Sequence, residues 1–106
     1  MDDVNILIVD DELDMRTGLQ RVLNRKMPHI QVTICGNGLE ALNALQDTSF
    51  SLALLDIKME GMSGLELLAE LRMCDPWLTV IMMTGYGTIE MAVEAIRTGA
   101  YDFISK

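Results

Sequence analysis

Three short runs in this chain contain only apolar residues: Ile6-Leu7-Ile8-Val9, Leu52-Ala53-Leu54-Leu55 and Val80-Ile81-Met82-Met83. Each stops abruptly at polar residues, Asp10-Asp11, Asp56 and Thr84 respectively. A strand with one wet face alternates apolar with polar, because successive side chains point to opposite faces. Runs without alternation therefore predict strands buried on both faces, the condition of central strands in a parallel sheet covered by helices.

The segments between the runs carry the helical period. Met15, Leu19, Val22 and Leu23 recur at helical spacing, Arg25 and Lys26 suit a helix C-terminus, and Pro28 blocks continuation. Ile30, Val32 and Ile34 alternate with Gln31 and Thr33, which predicts a half-exposed edge strand. Asn37 is placed to cap a second helix, with Glu40 in its first turn and Leu39, Leu42 and Leu45 facing inward. Ser63 and Glu66 have capping-box spacing and open a third helix through Leu68 and Leu71. A fourth carries Ile89, Ala92, Val93 and Ile96 on one face and closes at Arg97 and Gly99. Tyr101 to Ser105 reads as a last strand, and Trp77 after Pro76 is expected to cover the entry to the run at Val80.

Strict alternation of strand and helix with short loops predicts one α/β domain over residues 1–106. Right-handed crossovers favour a doubly wound, parallel five-stranded sheet in the flavodoxin-like order 2-1-3-4-5. Such a sheet needs helices on both faces. The chain supplies only four, so the fifth helix is expected to be missing and the domain truncated at its C-terminal end. A bare strip of strands beside the first helix would follow. That makes the monomer marginal, favours a homodimer, and leaves Lys106 loosely held unless a contact between chains fixes it.

Composition narrows the partners. The formal net charge is −8, from 16 acids against 8 bases, and such a surface repels phosphate backbones, so direct nucleic-acid contact is not expected. No run of 18 apolar residues exists and the N-terminus is acidic, which predicts neither a membrane span nor a signal peptide. Cys35 and Cys74 lack metal-ligand spacing and read as buried, reduced thiols of a cytoplasmic protein. His29 is a lone surface histidine.

The polar residues that end the strands carry the chemistry. In an open parallel sheet the C-terminal strand ends share one edge, and ligands bind in the crevice there. Asp10, Asp11, Asp56, Thr84 and Lys106 therefore converge although they span most of the chain. Clustered carboxylates repel unless a cation joins them or one keeps a proton. A hard divalent ion suits them, and Mg²⁺ fits a site with a few carboxylates plus water and phosphate. A hydroxyl and an ammonium beside them can hold a phosphoryl group.

The segments Ile8-Val9-Asp10-Asp11-Glu12, Leu55-Asp56-Ile57-Lys58-Met59, Met83-Thr84-Gly85-Tyr86-Gly87 and Gly99 to Lys106 resemble those of response-regulator receiver domains of two-component systems. The resemblance covers the whole chain, and around Thr84 to Ala100 it is nearest to receivers of sigma-54-dependent, nitrogen-regulator-type activators. The strand order given above is that family's own. The resemblance implies that Asp56 accepts a phosphoryl group from a sensor histidine kinase, and that the chain is a regulatory domain rather than an enzyme. It implies that Asp11, Asp56 and the backbone carbonyl of Lys58 bind Mg²⁺, with Asp10 acting through a coordinated water. Lys106 would pair with Asp56 at rest and contact the phosphoryl group after transfer. Thr84 would move toward the phosphate and draw Phe103 inward, changing a surface read by an output domain, itself expected to regulate transcription. Glu60 stands where such receivers commonly have proline, and Lys58 and Tyr86 flank the place of the phosphoryl group.

Two other readings compete. A phosphatase of the haloacid-dehalogenase kind would carry its nucleophile after the first strand in an Asp-x-Asp pattern, whereas positions 10 to 12 are Asp-Asp-Glu. A receiver-like module that is never phosphorylated has no need of Asp56, Thr84 and Lys106 together. Taken singly, each aspartate could be only a cap or turn residue, and Phe103 only core.

Overall fold

The computed structural model describes residues 4–85 and 88–106. Its elements are β1 (Val4–Val9), α1 (Leu13–Lys26), β2 (Ile30–Cys35), α2 (Gly38–Asp47), β3 (Leu52–Asp56), α3 (Gly64–Cys74), β4 (Thr79–Thr84), α4 (Ile89–Thr98) and β5 (Asp102–Ser105). All strand pairs are parallel and the order is β2-β1-β3-β4-β5. The doubly wound architecture follows from the apolar runs, which supply β1, β3 and β4 at the centre of the sheet.

Local signals place the helix ends. Asn37 Oδ1 accepts from the Glu40 N–H at 2.9 Å and starts α2. Ser63 and Glu66 form a full capping box at α3, each side chain accepting the other's backbone N–H. Thr88 Oγ1 accepts from Met91 N–H at α4, and Gly99, at φ 115°, closes that helix in the left-handed conformation.

The two faces of the sheet are covered unequally. Leu7, Val9, Ala53, Leu55, Val80 and Met82 point to one face and form a single core with Ala41 of α2, Leu67, Leu68 and Leu71 of α3, and Ala95 of α4. Among the described residues the opposite face is covered by α1 alone, which lies against β1 and β2 and has no buried residue of its own. Ile6 and Ile8 are buried there, but Leu52, Leu54 and Ile81 are half-buried and Ile104 is 44% exposed.

Several expected orientations are corrected. Leu39 is 67% exposed, because the inward stripe of α2 runs through Gly38, Ala41, Leu42 and Leu45 and Leu39 lies to one side of it. On α4, Met91 and Ala95 face the core, so Ile89, Val93 and Ile96 form a stripe that points to solvent. Trp77 covers nothing and is 92% exposed; the buried residue at the entry to β4 is Leu78. Cys74 is exposed at the end of α3, whereas Cys35 is buried. Burial, reinforced by the Glu40 carboxylate, pushes the Cys35 thiol up to about 11, so it stays protonated.

Candidate functional site

Four strand ends form the site. β1 leads into Asp10, β3 ends on Asp56, β4 ends on Thr84, and β5 delivers Lys106. The parallel register pairs Asp56 with Met83 and Thr84 with Ser105, so these residues share one edge. Asp10, Asp56 and Thr84 are buried, while Asp11 is exposed. Burial of two carboxylates at one edge is costly unless charge and hydrogen bonds offset it.

Lys106 supplies that charge. Its ammonium is 2.7 Å from Asp10 Oδ2, 3.2 Å from Asp56 Oδ2 and 4.0 Å from Glu12 Oε1. Its backbone N–H donates to the Thr84 carbonyl at 3.0 Å, so Lys106 is fixed at both ends rather than loosely held. The expected pairing with Asp56 is present, but Asp10 is the nearer partner. Asp10 Oδ1 accepts from the Glu12 N–H at 2.9 Å, and the Asp10 N–H donates to the Cys35 carbonyl at 3.1 Å.

Burial, and after it the Asp10 carboxylate, hold the Asp56 carboxyl above the usual carboxylate range. The Lys106 ammonium and the Lys58 backbone N–H oppose this without cancelling it. Desolvation lowers the Lys106 pKa, but hydrogen bonds and attraction to Asp10 and Asp56 outweigh it, so the ammonium stays charged.

Oxygens of Asp10, Asp11 and Asp56 come within 4.8 Å of one another. Asp10 Oδ2 is buried and is met by the Lys106 ammonium at 2.7 Å. One ammonium facing three carboxylates leaves excess negative charge on a cluster of oxygen donors, a donor set that fits a hard divalent cation. A cleft of about 150 Å³ opens beside it, lined by Glu12, Asp56, Lys58, Thr84, Gly85 and Lys106.

The loop after Asp56 is tightly tied. The Ile57 N–H donates to Met83 O at 2.9 Å and the Gly64 N–H to Ile57 O at 2.8 Å. The Glu60 N–H donates to Asp11 Oδ2 at 3.3 Å, a bond that proline at this position could not make. A Cβ on Gly64 would fall 2.1 Å from the Asp56 carbonyl oxygen, so α3 begins flush against the Asp56 backbone. The capping-box spacing of Ser63 and Glu66 gives no sign of this close approach at Gly64. Phe103, half-buried, packs against the core beside Met82 rather than into the cleft. Tyr86 lies outside the described residues.

The model of the response regulator receiver domain matches residues 6–106. The chain belongs to this family. It is 39% identical over 103 residues to the transcriptional regulatory protein ZraR of Klebsiella oxytoca, covering 97% of this chain and 23% of that protein. The receiver domain of NtrX from Brucella abortus is 42% identical, with a TM-score of 0.88 over 95% of this chain and 84% of that one. The resemblance to nitrogen-regulator-type receivers therefore holds. A response regulator from Burkholderia pseudomallei, solved with a phosphorylated aspartic acid, a calcium ion and citrate, is 32% identical with a TM-score of 0.91, covering 98% of this chain and 60% of that one. This receiver spans about a quarter of the length of the curated relatives it matches. Among the described residues, no helix is long and apolar enough to cross a membrane.

Proposed function

We propose that this receiver takes a phosphoryl group from a sensor histidine kinase onto Asp56 in a Mg²⁺-dependent step and passes the signal to an output domain that regulates transcription in the cytoplasm. The observation that carries the reading is the buried Asp56 carboxylate, 3.2 Å from the Lys106 ammonium, at the wall of a cleft shared with Thr84. Asp56 would act as nucleophile: a P–O bond forms at its carboxylate as the donor's bond to phosphorus breaks. Asp11, Asp56 and the Lys58 carbonyl would hold Mg²⁺ directly and Asp10 through a water. Bound there, the ion supplies neutralisation of the phosphoryl oxygens.

The chain's own groups do the rest. Lys106 moves its attraction from carboxylate to phosphoryl oxygen without leaving its backbone tie to Thr84. The added charge of roughly −1.5 to −2 gives the Thr84 hydroxyl a new acceptor. Thr84 lies two residues along β4 from Met82, the register partner of Phe103 on β5, so its movement would reach Phe103 through this strand pair. Catalysis is limited to the domain's own phosphorylation and dephosphorylation. With a net charge of −8, DNA contact is left to other parts of the protein. Residues 1–106 would be one receiver unit, and the half-buried strip on the α1 face would favour homodimers.

Intact mass after incubation with a small-molecule phosphodonor and Mg²⁺ tests the reading. One added phosphoryl group is expected, lost on chelation and lost in Asp56→Asn. Equal labelling of that variant would defeat it, and no labelling of the wild type would favour an interaction module instead.

A further inference from the structure

We propose that Arg16 is a positioning residue for the acidic site, acting through the Asp10 backbone from a seat that Gly36 leaves open; this rests on the functional reading above. Arg16 lies in the first turns of α1, outside the cleft, and Nη1 donates to the Asp10 carbonyl at 3.0 Å. The Asp10 N–H is held on the other side by the Cys35 carbonyl at 3.1 Å. Both backbone polar groups of Asp10 are therefore fixed, and its carboxylate is aimed at Lys106 and the Glu12 N–H. Loss of a partner that orients an ion's ligands without touching the ion typically costs roughly 10–100-fold in affinity.

The seat is specific. A Cβ on Gly36 would stand 2.8 Å from Arg16 Nη1 and 3.3 Å from Arg16 Cζ. The guanidinium thus occupies the space beside Gly36 that any other residue's Cβ would enter. Gly36 is itself held, since its N–H donates to Glu40 Oε1 at 3.1 Å while Asn37 Nδ2 donates to Glu40 Oε2 at 3.2 Å. The chain of contacts runs from the first turn of α2, through the loop after β2, to Arg16 and then to Asp10. A planar guanidinium fits this slot and the carbonyl together, and it brings positive charge to the acidic edge without entering the cleft.

Gly36→Ala provides a clean test, because the atoms its methyl meets are the end of a flexible side chain. Arg16 moves aside and the fold stays. The measurement is Mg²⁺ affinity, read from amide shifts of Asp11 and Lys58, with no phosphodonor present. Arg16→Ala and Gly36→Ala should each weaken binding about 10-fold. The double variant should also lose about 10-fold rather than about 100-fold, because both changes break one clamp. Arg16→Lys, which keeps the charge and a donor, should bind more tightly than Arg16→Ala. If wild type binds Mg²⁺ and the single variants bind within twofold of it, or their losses simply multiply, the inference is overturned while the functional reading stands. Wild type that binds no Mg²⁺ removes both.

Discussion

Gly64 meets Asp56 backbone to backbone: a Cβ there would sit 2.1 Å from the Asp56 carbonyl oxygen and 2.7 Å from Ile57 Cα. Neither atom belongs to a side chain that can turn away. Gly64→Ala must therefore push α3 off the end of β3. The expected loss is about 3 kcal/mol, the upper end for overpacking, with Asp56 displaced as well. Urea unfolding measures it, and a loss below about 1 kcal/mol would mean that α3 shifts freely.

Asp56→Asn should make the protein more stable at pH 7. Its folded pKa is raised by burial and by Asp10, so the native state binds the proton more tightly than the unfolded chain does. The wild type is then at its relative best below the unfolded value, near pH ~4, and loses that advantage as pH rises through the folded pKa. Urea midpoints of the two proteins should differ at pH 7 and converge toward pH ~4. A variant less stable than wild type at pH 7 would show that the lost Lys106 contact outweighs the relieved repulsion.

Lys106→Met should destabilise at neutral pH by about 2 kcal/mol. That is below the ~3–5 kcal/mol of a fully buried broken pair, because the side chain is 13% exposed. Asp10 and Asp56 would then face each other without compensation, so the deficit should shrink in acid as carboxylates take up protons. A deficit that is independent of pH would point to lost packing instead.

Thr84→Ala removes one hydroxyl while the nucleophile and the acidic cluster remain. Phosphorylation of Asp56 should persist, and the response of amides at Phe103 and in α4 to a phosphoryl mimic should be weakened. Identical spectral responses in the two proteins would exclude Thr84 as the relay.

Leu52, Leu54, Ile81 and Ile104 form a strip that α1 does not cover. Removing such surface from water is worth about 25 cal/mol per Å². Residues 1–106 on their own should therefore self-associate with rising concentration, and Ile104→Lys should reduce this in sedimentation experiments. Sedimentation independent of concentration would show that the strip drives no association.

The sheet and most of the site were readable because they depend on patterns along the chain. Uninterrupted apolar runs identify β1, β3 and β4, and a parallel sheet brings Asp10, Asp56, Thr84 and Lys106 to one edge whatever lies between them. What escaped depends on approach distances across the fold. Gly64 against Asp56, and Arg16 on Gly36, are fits between backbone and neighbour that no periodicity encodes. α4 carries two stripes, Met91-Ala95 and Ile89-Val93-Ile96, and hydrophobicity favours the wrong one; the smaller Ala95 is what lets the helix come close. Lys106's nearer approach to Asp10 than to Asp56 is likewise a matter of distance, since both carboxylates read alike in sequence.

Trp77 is the protein's sole indole and stands almost wholly in water, just before β4 begins. The acidic edge lies at the far end of that strand, roughly 20 Å away for six residues of extended chain. Its emission should resemble that of a free indole in the native state and change little on unfolding. Intrinsic fluorescence is consequently almost blind to core melting and to ion capture at Asp56. The same isolation makes Trp77 an optical tag for whatever docks on the opposite rim.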